Sequence, residues 1–193
     1  AKGVKSVGYI GFSDTWGDLV YNAITGLAPG AGFQVTTNER YARADTSVEA
    51  QVLKILAAKP DAVLIGGSGT PGALPAISLA GRGYKGAVYG NHGMVNPDFL
   101  RVGGKSVEGL IAPTGPLVVV ELLPDSSPVK SIASSFVKAY DAAYGVQNRN
   151  AFAGYAYDAN VLLEKAAPEA MKTAKPGTPA FRAALRNALE NLR

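Results

Sequence analysis

Val7-Gly8-Tyr9-Ile10-Gly11-Phe12-Ser13-Asp14-Thr15-Trp16-Gly17-Asp18-Leu19-Val20 carries the plan of the chain. The apolar run Val7 to Phe12 reads as a buried parallel strand, interrupted by Gly8 and Gly11. A short polar loop, Ser13-Asp14-Thr15, follows it. A helix pattern then opens, with Leu19, Val20, Ala23 and Leu27 at helical spacing. Thr15 is the expected N-cap, with Asp18 three residues on as the acidic arm of a capping box. Such a unit sets its loop at the carboxyl end of a strand, where open α/β sheets bind ligands. Trp16, the only tryptophan, sits at that edge.

Similar units follow. Phe33 to Thr37 reads as a second strand. Its helix is expected to start at Thr46 with Glu49 as capping partner, carry Val48, Val52, Ile55 and Leu56 inward, and stop at Lys59-Pro60. Asp61 to Ile65 is the cleanest buried strand. The loop Gly66-Gly67-Ser68-Gly69-Thr70-Pro71-Gly72 leads from it to a helix near Ala73–Ala80. Ala87 to Gly90 is a fourth strand, opening into Asn91-His92-Gly93-Met94 and a short helix near Pro97–Val102. Leu110 to Pro113 reads as a fifth. Alternation of this kind predicts an α/β fold, a parallel sheet of four to five strands with helices on both faces.

Beyond residue 120 the strands cease, which divides the chain into an α/β ligand-binding lobe, 1–120, and a linker with three helices, 121–193. The first of these helices is expected to have Ser127 as cap and Pro128 in its first turn, to bury Ile132, Phe136, Tyr140 and Tyr144, and to stop at Gly145. The second spans about Ala151 to Lys165. The third opens at Thr178-Pro179 and carries Phe181, Leu185, Leu189 and Leu192.

Of the 193 residues, 47% are hydrophobic and 18% charged, enough apolar material for a sizeable core. Net charge is +4 with Lys and Arg scattered, so no basic block or aromatic–basic stripe marks a nucleic-acid partner. There are no cysteines and one histidine. Disulfides, thiolate metal sites and Cys nucleophiles are therefore excluded, and no metal or other cofactor is implied. No apolar run reaches transmembrane length.

Two motifs imitate catalytic ones. Gly103-Gly104-Lys105-Ser106 ends like a P-loop, but Phe99 stands where the first glycine belongs, and helix precedes strand rather than the reverse. Gly66-Gly67-Ser68-Gly69-Thr70 resembles a nucleophile elbow with Thr70 in place of the last glycine. A hydrolase of that type needs an acid and then a histidine downstream. No acid lies between Ser68 and His92. The glycines serve either a tight turn or a close approach of Ser68 and backbone to a ligand. His92 is either a loop residue bonded to backbone or a ligand contact. Trp16 is either a helix-start anchor or a ligand surface. Together the three loops offer aromatic surface, a hydroxyl, backbone N–H groups and one imidazole, an inventory for binding more than for catalysis.

These residues resemble the carboxyl-terminal lobe of the periplasmic solute-binding proteins of ABC transporters, of the leucine/isoleucine/valine-binding type. The matching features are Asp14-Thr15-Trp16-Gly17, Lys59-Pro60-Asp61-Ala62-Val63 before Gly66-Gly67-Ser68, and Gly81-Arg82-Gly83-Tyr84. Further matches are Gly90-Asn91-His92-Gly93, Val107-Glu108-Gly109-Leu110, the helix Phe136–Gly145, and Tyr155-Ala156-Tyr157-Asp158-Ala159. The likeness covers nearly the whole chain. It implies a two-lobed periplasmic protein, not an enzyme, that closes on a small molecule and delivers it to a membrane permease. It implies ligand contacts at Trp16, Ser68, Gly69, His92 and Tyr155. His92 falls where amino-acid binders of this type carry an acid for the ligand's ammonium group. That departure points to a small organic, possibly aromatic, carboxylate rather than an amino acid. The resemblance further implies a first lobe ahead of Ala1 and final strands after Arg193. A lobe alone exposes its cleft-facing loops, so self-association or a swap of the terminal helices is the expected behaviour of the isolated chain. The competing readings are a small α/β hydrolase using Ser68 and a ligand-sensing regulatory domain on the same fold.

Overall fold

A computed structural model describes residues 3–192. Five strands, all parallel, form one sheet: β1 (Ser6–Phe12), β2 (Gln34–Val35), β3 (Glu39–Tyr41), β4 (Ala62–Gly66) and β5 (Ala87–Tyr89). Their order is β2-β1-β4-β5, with β3 also pairing β1. The helices around them are α1 (Thr15–Ala31), α2 (Glu49–Ala57), α3 (Ala73–Gly81), α4 (Pro97–Gly103) and α5 (Lys130–Tyr144). Two more, α6 (Ala151–Met171) and α7 (Pro179–Glu190), complete the described chain. None of the described helices is long and apolar enough to cross a membrane. By compactness the chain divides into Ala1–Arg149 and Asn150–Arg193.

The centre of the first unit is the quoted strand. Val7 to Phe12 are all buried, as a strand flanked by partners on both edges must be. Ile10 and Phe12 join Val52, Ile55, Val63, Ile65 and Leu79 in one core cluster. The expected second strand is two short ones on the same edge of β1. β2 pairs its amino half, Ser6 with Gln34, and β3 its carboxyl half, Phe12 with Tyr41. Between them the Thr37 side chain replaces the backbone ladder. Its hydroxyl accepts from Tyr9 N at 3.0 Å and donates to Tyr9 O at 3.3 Å. A polar side chain that imitates a main-chain partner leaves no hydrophobic trace, so β3 escapes a reading based on apolar pattern.

Other elements begin or end elsewhere than expected. α2 starts at Glu49, not Thr46, because Glu49 is drawn away from the local cap. Its carboxylate accepts from Ser78 Oγ at 2.5 Å and Arg82 Nε at 2.8 Å, tying α2 to α3. Leu110 to Pro113 is no strand. It makes one bridge, Tyr89 to Ile111, and Pro113 has no N–H to extend it. α5 begins at Lys130, since Ser127 lies in a turn where its carbonyl accepts from Lys130 N at 3.1 Å. Ala133 and Val137 are its buried residues, with Val120 of the 3₁₀ stretch Pro116–Leu122. Ile132 and Tyr144 are 53% and 63% exposed. The expected apolar stripe instead packs partly on itself, Phe136 on Tyr140 at 5.7 Å and Tyr140 on Tyr144 at 4.8 Å.

In the second unit, Thr178 caps α7 as expected, its Oγ1 accepting from Phe181 N at 3.1 Å. α6 runs past Lys165 to Met171 with Pro168 inside it.

One carboxylate joins the two central strands, β1 and β4, at their amino ends. Asp61 Oδ2 accepts from Lys5 N at 2.8 Å, Ser6 N at 2.9 Å and Ser6 Oγ at 3.0 Å. The Lys5 amide and then the Ser6 hydroxyl and amide hold the Asp61 carboxyl below its ordinary range. A depressed pKa stabilises the fold above the unfolded value, about 4, and that stability is lost as pH falls through the folded value. Asp61→Asn is therefore expected to lower the melting temperature at pH 7. The gap from wild type should close in acid, once the pH has fallen below the lowered Asp61 value. Melts at pH 7 and in acid check this, and a gap that persists in acid would show the charge to be irrelevant.

Candidate functional site

Because all five strands run one way, the loops after Phe12, Tyr41, Gly66 and Tyr89 share one edge of the sheet. The first is organised by Asp14 rather than Thr15. Asp14 has an extended backbone and its Oδ1 accepts from Trp16 N at 3.0 Å and Gly17 N at 3.2 Å, making it the N-cap of α1. An ionised cap also meets the positive end of the helix, which favours Asp over Thr here. Asp18, freed from the expected capping box, pairs with Arg40 at 3.1 Å. Trp16 is thus fixed as the second residue of α1. Its ring packs partly buried on the core. Its Nε1 is shielded from solvent and has no acceptor among the described residues, an arrangement that costs roughly 1–3 kcal/mol.

The third and fourth loops are stapled together. Asn91 Nδ2 donates to Gly67 O at 2.6 Å and Ile65 O at 3.2 Å, while its Oδ1 accepts from Gly93 N at 2.8 Å. Gly69 N donates to Gly93 O at 3.0 Å. Gly69 has φ of 54°, the region that favours glycine. At Gly93 a Cβ would fall 2.8 Å from Ser68 Cβ and 3.5 Å from the Trp16 ring. Its bare backbone is what brings those two side chains near each other. His92 lies edge-on to Trp16, ring centroids 5.5 Å apart at 73°.

The second loop was missed with β3, and it brings an unexpected residue. Arg43 lies over the Phe12 ring, 4.2 Å to the centroid. Its Nε donates to Asp14 Oδ2 at 2.6 Å and its Nη1 to Ser68 Oγ at 3.5 Å. Partial desolvation pushes the Asp14 carboxyl up. The bonds from Arg43, Gly17 and Trp16 outweigh that and hold it below the ordinary range. Asp45 Oδ2 closes the loop by accepting from Ala42 N at 2.8 Å. The signal available in sequence was Tyr41, an aromatic residue in a largely polar stretch, with the basic Arg43 two positions on.

Trp16, Ser68, Gly69 and His92 are therefore brought together, with Arg43 added. Tyr155 belongs to the second unit, on α6, with its ring edge-on to Phe152 at 5.9 Å. The P-loop imitation is elsewhere. Lys105 and Ser106 line a cavity of about 310 Å³ beside the start of β5, with Tyr84 and Glu108. No group of three or more metal-binding side chains occurs among the described residues.

A parallel sheet of five strands with helices around it matches one lobe of a type I periplasmic binding protein. The comparisons agree. The family described as periplasmic binding protein matches residues 1–193. The chain belongs to that family, whose members are solute-binding proteins. Among solved structures, Rp1789 of Rhodopseudomonas palustris strain CGA009 is 48% identical, with a TM-score of 0.89, over 96% of this chain and 52% of that one. An extracellular ligand-binding receptor from strain HaA2 is 46% identical, with a TM-score of 0.90 and the same coverage. A leucine binding protein from Thermotoga maritima shares the fold, with a TM-score of 0.79 at 24% identity, over 99% of this chain and 50% of that one. The chain spans about half the length of these structures. No curated protein matches it.

Proposed function

We propose that this chain is the ligand-binding lobe of the solute-binding component of an ABC importer, acting outside the cytoplasmic membrane. Its ligand is a small organic carboxylate with an apolar or aromatic body, taken up between this lobe and a second one and passed to a membrane permease. Trp16 covers the body of the ligand, Ser68, Gly69 and His92 meet its polar end, and Tyr155 adds a contact from α6.

The observation that carries this reading is the balance of donors and acceptors on the loop edge. Trp16, Ser68, His92 and Arg43 supply indole, hydroxyl, imidazole and guanidinium groups, and the acids of these loops, Asp14 and Asp45, are already engaged. An α-ammonium group in a closed cleft needs an acceptor, because a buried unpaired charge is costly. Donors suit a carboxylate instead. The same geometry weighs against a hydrolase, since Ser68 faces a guanidinium that cannot take its proton.

Calorimetry of the full-length protein tests the ligand class. Benzoate, phenylacetate or hexanoate is expected to bind, and leucine and valine are not. Tight leucine binding with none of the acids would overturn it. In this chain Trp16 is the only indole, so the change in its fluorescence on titration is expected to vanish in Trp16→Phe.

A further inference from the structure

We propose that Arg43, on the loop after β3, is the residue of this lobe that grips the ligand's carboxylate, held ready for it by Asp14 and the Phe12 ring. The inference rests on the carboxylate reading above and adds to it the residue that sets specificity.

Three features single out this arginine. The first is placement. The register Phe12 to Tyr41 sets the loop after β3 beside the loop after β1, on the same edge as Ser68. The second is fixation. The guanidinium carbon lies over the Phe12 ring, 4.2 Å from its centroid, and Phe12 is fully buried. Its Nε is tied to Asp14, itself pinned as the N-cap of α1. A planar group held by its face and one corner has a set direction for the rest of its fork. The third is spare capacity. Nη1 reaches Ser68 only at 3.5 Å, and Nη2 has no acceptor among the described residues. The side chain is 52% exposed, so a ligand can reach it.

Arg40 shows what a structural arginine looks like in the same fold. Its Nε donates to Asn38 at 2.7 Å and its Nη1 to Phe12 O at 3.0 Å and to Asp18 at 3.1 Å, with Tyr9 and Tyr21 under its face. Its capacity is used inside the lobe. A pair with Asp14 alone would need only one donor, and a lysine would serve. The stacked fork with an open edge matches a carboxylate bidentately, which lysine does not. Ser68 beside it supplies a further hydroxyl to the same oxygen pair.

The test compares benzoate with benzamide, which keeps the ring and removes the charge, by calorimetry on the full-length protein. Wild type should prefer the acid. Arg43→Gln should lower benzoate affinity by about 10- to 100-fold, the range of a charge-assisted pair, and leave benzamide nearly unchanged. Arg43→Lys should fall between, since it keeps the charge and loses the fork. A merely structural Arg43 would weaken both compounds alike. An acid preference intact in Arg43→Gln overturns the assignment while the carboxylate reading stands. A wild type without acid preference overturns both. If Arg43→Gln does not fold, Arg43→Lys decides. It keeps the charge beside Asp14 and loses the fork, so benzoate affinity should fall several-fold while benzamide is nearly unchanged. Equal changes for the two compounds there would count against Arg43.

Discussion

Gly17→Ala is expected to destabilise the lobe by about 3 kcal/mol or more, enough to unfold a large share of a domain whose whole stability is roughly 5–15 kcal/mol. Gly17 is the third residue of α1, packed on the end of β1. An added Cβ would land on the Phe12 carbonyl oxygen and 2.9 Å from Arg40 Nη1. The obstructing atom is backbone, so no rotamer change relieves the clash. Neither partner can shift freely. Phe12 O accepts from Arg40 at 3.0 Å, Gly17 N is held by Asp14, and Gly17 O accepts from the buried Tyr9 hydroxyl at 2.6 Å. Burial pushes that phenol up to about 12, which keeps it a donor at any ordinary pH. The control is Gly26→Ala, further along α1, where a Cβ meets nothing within 4 Å. It should stabilise by up to about 1 kcal/mol, as alanine replaces glycine in a helix. Urea melts of the two variants check the contrast. A Gly17→Ala protein as stable as wild type would mean that α1 can lift from β1, and the fixed placement of Trp16 would fall with it.

The parts of this design that were legible in sequence are those written in apolar periodicity. Val7–Phe12, Asp61–Ile65 and Ala87–Gly90 declare themselves as strands, and the loops after them declare the edge. That is why Trp16, Ser68, Gly69 and His92 can be collected from the sequence. What was hidden is written in polar contacts between residues distant in sequence. Thr37 stands in for a ladder bond, Glu49 leaves its cap for Ser78 and Arg82, and Asp14 takes the capping role from Thr15 while reaching Arg43 across the edge. Local propensity and the helix dipole already favour Asp over Thr as a cap, and Arg43, 29 residues away, adds a bond to the same carboxylate that no local pattern announces. Tyr155 marks a different limit. It belongs to the second unit, and its part in the site stays a proposal drawn from family resemblance.

His92→Glu is expected to weaken benzoate binding by roughly 100-fold and to bring leucine binding up from none. The imidazole sits edge-on to Trp16 at 5.5 Å, on the loop that Asn91 staples to Gly67. On the proposed reading it faces the polar end of the ligand. A glutamate there puts one carboxylate against another. Two like charges about 4–6 Å apart repel by roughly 3 kcal/mol at an effective dielectric near 20, a factor of about 100 in affinity. For an amino acid the same substitution supplies the anionic partner that a desolvated ammonium requires, so specificity changes by adding repulsion to one ligand and attraction to the other. Loss of the ring could weaken binding for reasons of shape, and His92→Gln separates the two causes. It removes the imidazole, adds no charge, and should lower benzoate affinity by only about 10-fold, the worth of one hydrogen bond. Asn91 remains as the cap of the short turn that holds position 92, so both variants should melt near wild type. Calorimetry with benzoate and leucine on the three proteins decides the matter. Equal losses of benzoate in the glutamate and glutamine variants, with no leucine binding in either, would show that position 92 does not read the ligand's charge.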